Sequence, residues 1–264
     1  MQYFRLRLLI CLMITIVVIN SKPAKAEEVK FNFMVGEEFA YKVRWSFIRL
    51  GTLKLVVKDT SRIDGELVYH TQLFIDSNPL LFFVNMHNVY NSYLDEKFRL
   101  RLFTAEERID DILYETVYKF NYQDSTIKAT YTNIENPEEV LQKEMSIDEL
   151  LLDGSSLIFY ARSRVHNEIT ESLTTFFEAK KGKVQINFKG KGGNQRISSF
   201  EDPIETYYVD GVMDATGIAG ITGPFKGWFS TDRQRPPVKA KLKVFIGYVT
   251  VDLENWKKWD FIEK

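Results

Sequence analysis

The side chains that can do chemistry are few and scattered. Three histidines stand at positions 70, 87 and 166. They form no HExxH motif and no pair at helical spacing, so nothing encodes a local cluster of zinc ligands. They read as surface or strand-packing histidines. Gly154-Ser155-Ser156 places serines after a glycine, but no G-x-S-x-G nucleophile elbow occurs. A helix start accounts for that tripeptide. Gly190-Lys191-Gly192-Gly193 lacks the spacing of a phosphate loop and reads as a hairpin turn. Glu106-Glu107 and Asp110-Asp111 supply acidic pairs. A glycosidase needs two carboxylates at a set separation, which sequence does not fix, and charge runs of this kind are usually solvated. No catalytic residue, metal ligand or cofactor motif is assigned, and the chain leans away from an enzyme.

Two constellations are more specific. Asp153, Ser156, Tyr160 and Arg164 share one face of a predicted helix, within about 80° of one another. One reading docks this face on a sheet through hydrogen bonds, with Arg162 or Arg164 pairing a carboxylate. The other makes it a polar patch at a pocket mouth. Ser230-Thr231-Asp232-Arg233, followed by Arg235-Pro236-Pro237, is a charged turn. Asp232 can hold the turn backbone while the prolines fix the exit. The alternative is recognition of an anion or glycan by Arg233 and Arg235 beside Trp228.

Two apolar segments suggest ligand contact. Asn78 to Met86 breaks the surrounding alternation with Leu80, Leu81, Phe82, Phe83 and Val84. It reads as a buried connection or barrel plug, as the apolar lid of a hydrophobic-ligand site, or as a membrane-dipping loop. Ala215 to Pro224 is glycine-rich and apolar. Its Ile218 and Ile221 can cover a cavity mouth on a mobile loop.

The elements that must position these residues are mostly strands. Phe39, Tyr41, Val43, Trp45 and Phe47 alternate with polar residues, as on a strand with one buried face. Asp64-Gly65 is a hairpin signal. Tyr114, Thr116, Tyr118 and Phe120 alternate again. Ser146 to Arg164 reads as the one helix, with Ser146 as N-cap and Glu149 completing a capping box. Gly154 weakens it, and a turn followed by a helix from about Ser155 is the alternative. Strands Leu173 to Ala179 and Lys183 to Lys189 flank a turn at Gly182. Another strand is expected near Gln195 to Phe200, and two more run from Val238 to Ile246 and Tyr248 to Leu253. Roughly fourteen strands and one helix predict an all-β, antiparallel, up-and-down meander. So long a sheet curls into a barrel or half-barrel.

Composition supplies the address. Arg5 and Arg7 precede an apolar run from Leu8 to Ile19, and Ala24-Lys25-Ala26 follows. This pattern predicts a secretory signal peptide over residues 1–26, too short to span a bilayer. Residues 27–264 then form a single β-barrel-like domain. The only cysteine, Cys11, lies in the apolar run. Disulfides and thiol chemistry are therefore excluded from the exported chain, as suits a bacterial envelope. Cleavage removes four of the 35 Lys and Arg and none of the 36 Asp and Glu. The net charge becomes about −5, with no basic run, which argues against nucleic acid and anionic membranes as partners.

Three motifs carry a resemblance. Gly36-Glu37-x-Phe39-x-Tyr41-x-Val43-x-Trp45, followed by Gly51, opens the domain. Asp153-x-Ser155-Ser156-x5-Ala161-Arg162 stands in the middle. Gly227-Trp228-Phe229-Ser230-x-Asp232-x3-Pro236-Pro237-Val238 and Gly247-x-Val249-x-Val251-x-Leu253 close it. Together they resemble the exported bacterial family called domain of unknown function 3108, over about Phe31 to Glu254. The resemblance implies a periplasmic or outer-envelope protein of Gram-negative bacteria with a large antiparallel barrel-like fold. It implies no activity, cofactor or catalytic residue. The expected role is to bind or carry a hydrophobic or amphiphilic envelope molecule such as a lipid. An assembly factor that binds an envelope protein or polysaccharide, and a glycan or lipid hydrolase, are the alternatives.

Overall fold

Period-two patterns become strands throughout. The computed structural model describes residues 31–81, 86–109, 112–214, 222–244 and 246–257. The expected signal segment, Phe82, Phe83, Ile218 and Ile221 lie outside them. Eight strands succeed one another: β1 (Glu38–Trp45), β2 (Ile48–Ile63), β3 (Glu66–Ser77), β4 (His87–Leu94), β5 (Leu100–Ile109), β6 (Ile112–Asn121), β7 (Thr126–Asn133) and β8 (Val140–Ser146). A two-residue β9 (Leu151–Leu152) leads into the helix α1 (Gly154–Arg164). Then come β10 (Thr170–Phe177), β11 (Lys180–Gln195), β12 (Ile204–Met213), β13 (Gly223–Ser230), β14 (Pro237–Lys243) and β15 (Tyr248–Lys257).

All fifteen strands form one sheet, in the order β8 to β1, then β15 back down to β9. The first and last strands pair at its middle, with Val43 opposite Val251. The edges are β8 and β9, consecutive in sequence. Every pairing is antiparallel except the short one between β9 and β10. The antiparallel meander with one helix is thus as expected, but the sheet is not closed. After two residues of β9 the chain turns into α1, leaving no ladder for β8 to join.

The sheet nonetheless curls until its two arms touch. Phe176 on β10 meets Tyr118 and Phe120 on β6 edge to face, with ring centroids 5.4 and 5.6 Å apart. Tyr90 on β4 lies 6.2 Å from Phe177. Buried aromatic pairs of this kind bring strands from opposite arms together. Gly51 permits one tight approach: a Cβ there would collide with the Asp76 carbonyl on β3.

Several expected boundaries shift for physical reasons. The helix starts at Gly154, not Ser146, in line with the alternative start near Ser155. Ser146 pairs with Thr126 in the β7–β8 ladder. Asp148 and Glu149 instead hold Lys181 and Lys183. Asp153 is the N-cap: its Oδ1 accepts from Ser156 N at 2.8 Å, and its own N–H donates to Ser156 Oγ at 2.7 Å. That reciprocal pair satisfies two otherwise orphaned donors. The turn expected at Gly182 lies at Glu178-Ala179, both at positive φ. The hairpin expected at the Gly190 cluster is absent because β11 runs straight through it, shifting register around Lys191. No strand spans Gln195 to Phe200, and β8 is an addition that its polar sequence concealed.

Candidate functional site: an apolar cavity beneath the helix

Alternation on curled strands sends one set of side chains inward, and α1 does not fill the space they enclose. A partly open cavity of about 470 Å³ remains. Strands β1 to β3 wall it with Val43, Leu53, Leu73 and Ile75. The helix presents Leu157 and Ile158. Phe176 and Val251 close the far side, from β10 and β15. Just beyond, α1 is anchored by an aromatic cluster. The ring of fully buried Phe159 lies tilted 4.9 Å from that of Phe33, and Tyr160 meets Phe98 edge to face at 5.5 Å.

The acids at the cavity are already engaged. Asp153 lies in its lining, yet its Oδ1 caps the helix and its Oδ2 accepts from the Ser92 hydroxyl. Asp76, near the rim, faces His87 at 3.0 Å. No histidine lines the cavity. His70 stacks on Tyr93 at 4.4 Å and hydrogen-bonds Asn91. Burial, followed by the nearby Arg235 and Arg164 charges, holds His166 below the usual histidine range. Among the described residues, no three His, Cys, Asp or Glu side chains gather to hold a metal ion. What the cavity offers is apolar shelter.

The candidates from sequence divide into separate places. Leu81 is half-buried in the β3–β4 loop, its N–H donating to Asn78 O at 2.9 Å. It does not line the cavity, but Ser77 and Met86 at the two ends of that loop do. Met213, just before the glycine-rich segment, also lines it. Trp228 lies elsewhere, packed 5.3 Å from Tyr208. Of the helix face, Asp153, Ser156 and Tyr160 are buried, and Arg164 covers the Tyr160 ring at 5.4 Å. Arg233 is exposed in the charged turn, where Asp232 accepts from the Gln234 and Arg235 backbone. Arg235 turns inward, and its Nε donates to the Arg162 carbonyl at 2.7 Å. Desolvation, followed by the Arg162 charge, lowers the Arg235 pKa.

The sequence predicts a carboxylate partner for Arg162 or Arg164; the pairing falls to Arg162, and its partner, Glu37, was not identified. Arg162 and Glu37, each 1% exposed, form a buried ion pair. Arg162 also donates to Gln234 O at 2.9 Å. The three motifs therefore meet at one node behind the cavity. Their presence in separate parts of the chain was the available signal, but nothing local to any motif shows that they touch. Tyr41 lies in the same core. Burial raises its phenol pKa far above the usual value, opposed by the Arg162 charge.

No curated protein matches the chain. Among solved structures it is similar to a β-barrel-like protein of domain of unknown function 1849 from Brucella abortus. That likeness has 9% identity and a TM-score of 0.46, and covers 85% of this chain and 97% of that one. It is also similar to a presumed exported protein with a YmcC-like fold from Bacteroides fragilis, at 7% identity and a TM-score of 0.38, covering 87% and 99%. A presumed lipoprotein from Parabacteroides distasonis gives 9% identity and a TM-score of 0.38, covering 88% and 100%. The model of the family described as protein of unknown function (DUF3108) matches residues 40–254, and the chain belongs to that family.

Proposed function

We propose that the chain is a non-enzymatic binder or carrier of a hydrophobic or amphiphilic molecule, such as a lipid of the cell envelope. One observation carries this reading. The cavity of about 470 Å³ has walls of aliphatic and aromatic carbon, and its acids are committed to other partners. Its size falls within the usual 300–1,000 Å³ or so of small-molecule sites. Burying an acyl chain there gains about 0.8 kcal/mol per methylene. The expected signal peptide supports an exported carrier. No helix among the described residues is long and apolar enough to cross a membrane.

The test is lipid extraction and native mass spectrometry of protein purified from its own envelope, alongside uptake of a dansyl-labelled fatty acid by delipidated protein. A copurified amphiphile and saturable uptake are expected, with uptake at least about tenfold weaker in Leu157→Trp, which narrows the cavity. Protein free of amphiphile that also takes up no probe would overturn the reading.

A further inference from the structure

In an antiparallel meander, alternate turns lie at the same end of the sheet. The turns after β1, β3, β12 and β14 therefore share one end, and the cavity reaches it at Leu50, Ser77, Met86, Met213 and Val244. Among the described residues, the most exposed large apolar side chains stand on the same turns. Phe47 is 88% exposed, Leu80 85% and Ile246 64%. Val212, Trp45 and Tyr248 add partly exposed apolar surface beside them. Hydrogen bonds tie these turns together. Asn78 N and Nδ2 donate to the Leu50 and Arg49 carbonyls at 2.7 and 2.9 Å. Trp45 Nε1 donates to Ile246 O at 2.7 Å. An apolar rim thus surrounds the mouth of an apolar cavity.

Below the rim, on the outer face, the register gathers cations. Lys226 stands opposite Lys241. Thr250 follows Lys241 in the same row and faces Arg44 beyond it. Lys243 is nearer the rim, 5.1 Å from the Tyr248 ring. Asp252 pairs with Arg44 and lies 3.8 Å from Lys239, while Asp210 stands opposite Lys226. Asp214 and the Asp76–His87 pair are acidic groups near the rim. Like charges directly opposite on a sheet are destabilising, and aqueous Phe and Leu tips gain nothing for the isolated fold. Both features are favourable where apolar tips enter acyl chains and lysines meet anionic headgroups. Trp and Tyr suit the boundary between them. Net charge alone pointed away from anionic membranes; the sheet register assembles what the linear sequence disperses.

We infer that this end of the sheet docks, mouth down, on a bilayer surface containing anionic phospholipid, so that ligand passes between membrane and cavity without crossing water. The exchange rests on the proposed carrier function; the docking itself rests on the rim and the lysine row.

The test uses the chain from residue 27, which contains the whole compact unit Phe31–Lys264. Its co-sedimentation is measured with vesicles of phosphatidylcholine, alone or mixed with phosphatidylglycerol. Binding is expected to favour the mixed vesicles and to weaken with added salt. Phe47→Ser combined with Leu80→Ser should lower it at least about tenfold. Lys226→Gln combined with Lys241→Gln should remove most of the preference for phosphatidylglycerol. Both double variants change exposed or half-exposed side chains and should still take up the dansyl fatty acid from solution. Absence of vesicle binding, or wild-type binding by both double variants, overturns docking and leaves the rim to a protein partner. Vesicle binding sensitive to these variants, with neither probe uptake nor a copurified amphiphile in the wild type, upholds docking and removes the carrier reading.

Discussion

The guanidinium of Arg162 forks onto both carboxylate oxygens of Glu37, 125 residues earlier, at 2.9 and 2.8 Å. The rings of Phe31, Phe39 and Phe159 surround the cation at 5.1, 4.9 and 5.3 Å. With two further bonds to Gln234 O, the pair fixes α1 to the entrance of β1 and to the β13–β14 turn. The cavity exists because the helix is held there at a set height above the strands.

Breaking that pair should be costly. Arg162→Met leaves Glu37 buried without its counter-ion and is expected to lose about 3–5 kcal/mol. Replacing both partners, as in Glu37→Leu with Arg162→Met, should recover much of the loss, because the desolvation cost of both charges also disappears. Urea unfolding of the two single variants and the double measures this. A single-variant loss below about 1 kcal/mol would show that the pair behaves like a solvated one.

The helix cap gives a second prediction. Asp153→Ala removes the acceptor for Ser156 N and the partner of the Ser92 hydroxyl. The cap alone is worth about 1–2 kcal/mol, and the stranded Ser92 adds to the loss. Asp153→Asn keeps an acceptor and should cost less than half as much. Thermal unfolding of the two variants compares them, and equal losses would argue against capping as the cause.

How far the sequence disclosed this arrangement depends on the range of each interaction. Strand alternation is local, so Tyr114 to Phe120 could be placed on one face of a strand, and the Asp64-Gly65 turn could be placed outright. The helix was displaced because Ser146-x-x-Glu149 and Asp153-x-x-Ser156 are equivalent as local patterns. Only the pairing of Ser146 with Thr126 and the ion pairs to Lys181 and Lys183 decide between them. The glycines of β11 look like a turn until β12 is laid beside them and they prove to be bulges. The cavity was the least legible feature. Val43, Leu157 and Phe176 are residue types of any ordinary core, and what distinguishes them is the space that none of them fills.

Buried phenols predict an alkaline weakness. Burial pushes the Tyr122 phenol from about 10 up to about 12, opposed by Arg99 and Arg101, whose guanidinium carbons lie 5.1 Å from its ring. The unfolded chain loses this proton first, near pH 10, and the folded chain near pH 12. Across that window the unfolded state binds fewer protons, so stability falls as pH rises, by up to about 1.4 kcal/mol per pH unit for each such group. Below pH 10 its contribution is fully present. Tyr122→Phe should flatten that limb by one proton, while Tyr41, shifted further, continues to act at higher pH. Denaturant midpoints measured from pH 8 to about 11.5 test this; an unchanged slope in Tyr122→Phe would mean that the ring is solvated.

Leu157 and Phe159 stand two residues apart on α1 and should respond in opposite ways. Phe159 is fully buried against Phe31 and Phe33. Truncation to Ala opens a void in packed core and should cost about 3–5 kcal/mol. Leu157 faces space that is already empty. Leu157→Phe adds carbon where no neighbour must move, so stability should change by less than about 1.5 kcal/mol. The same substitution shrinks the proposed binding space, so dansyl fatty acid uptake should fall while the unfolding midpoint holds. Phe159→Ala, assayed at a temperature where it remains folded, should keep uptake while the midpoint drops. If Leu157→Phe instead destabilised the fold as Phe159→Ala does, the helix would be seated on packed side chains, with no cavity beneath it to receive a ligand.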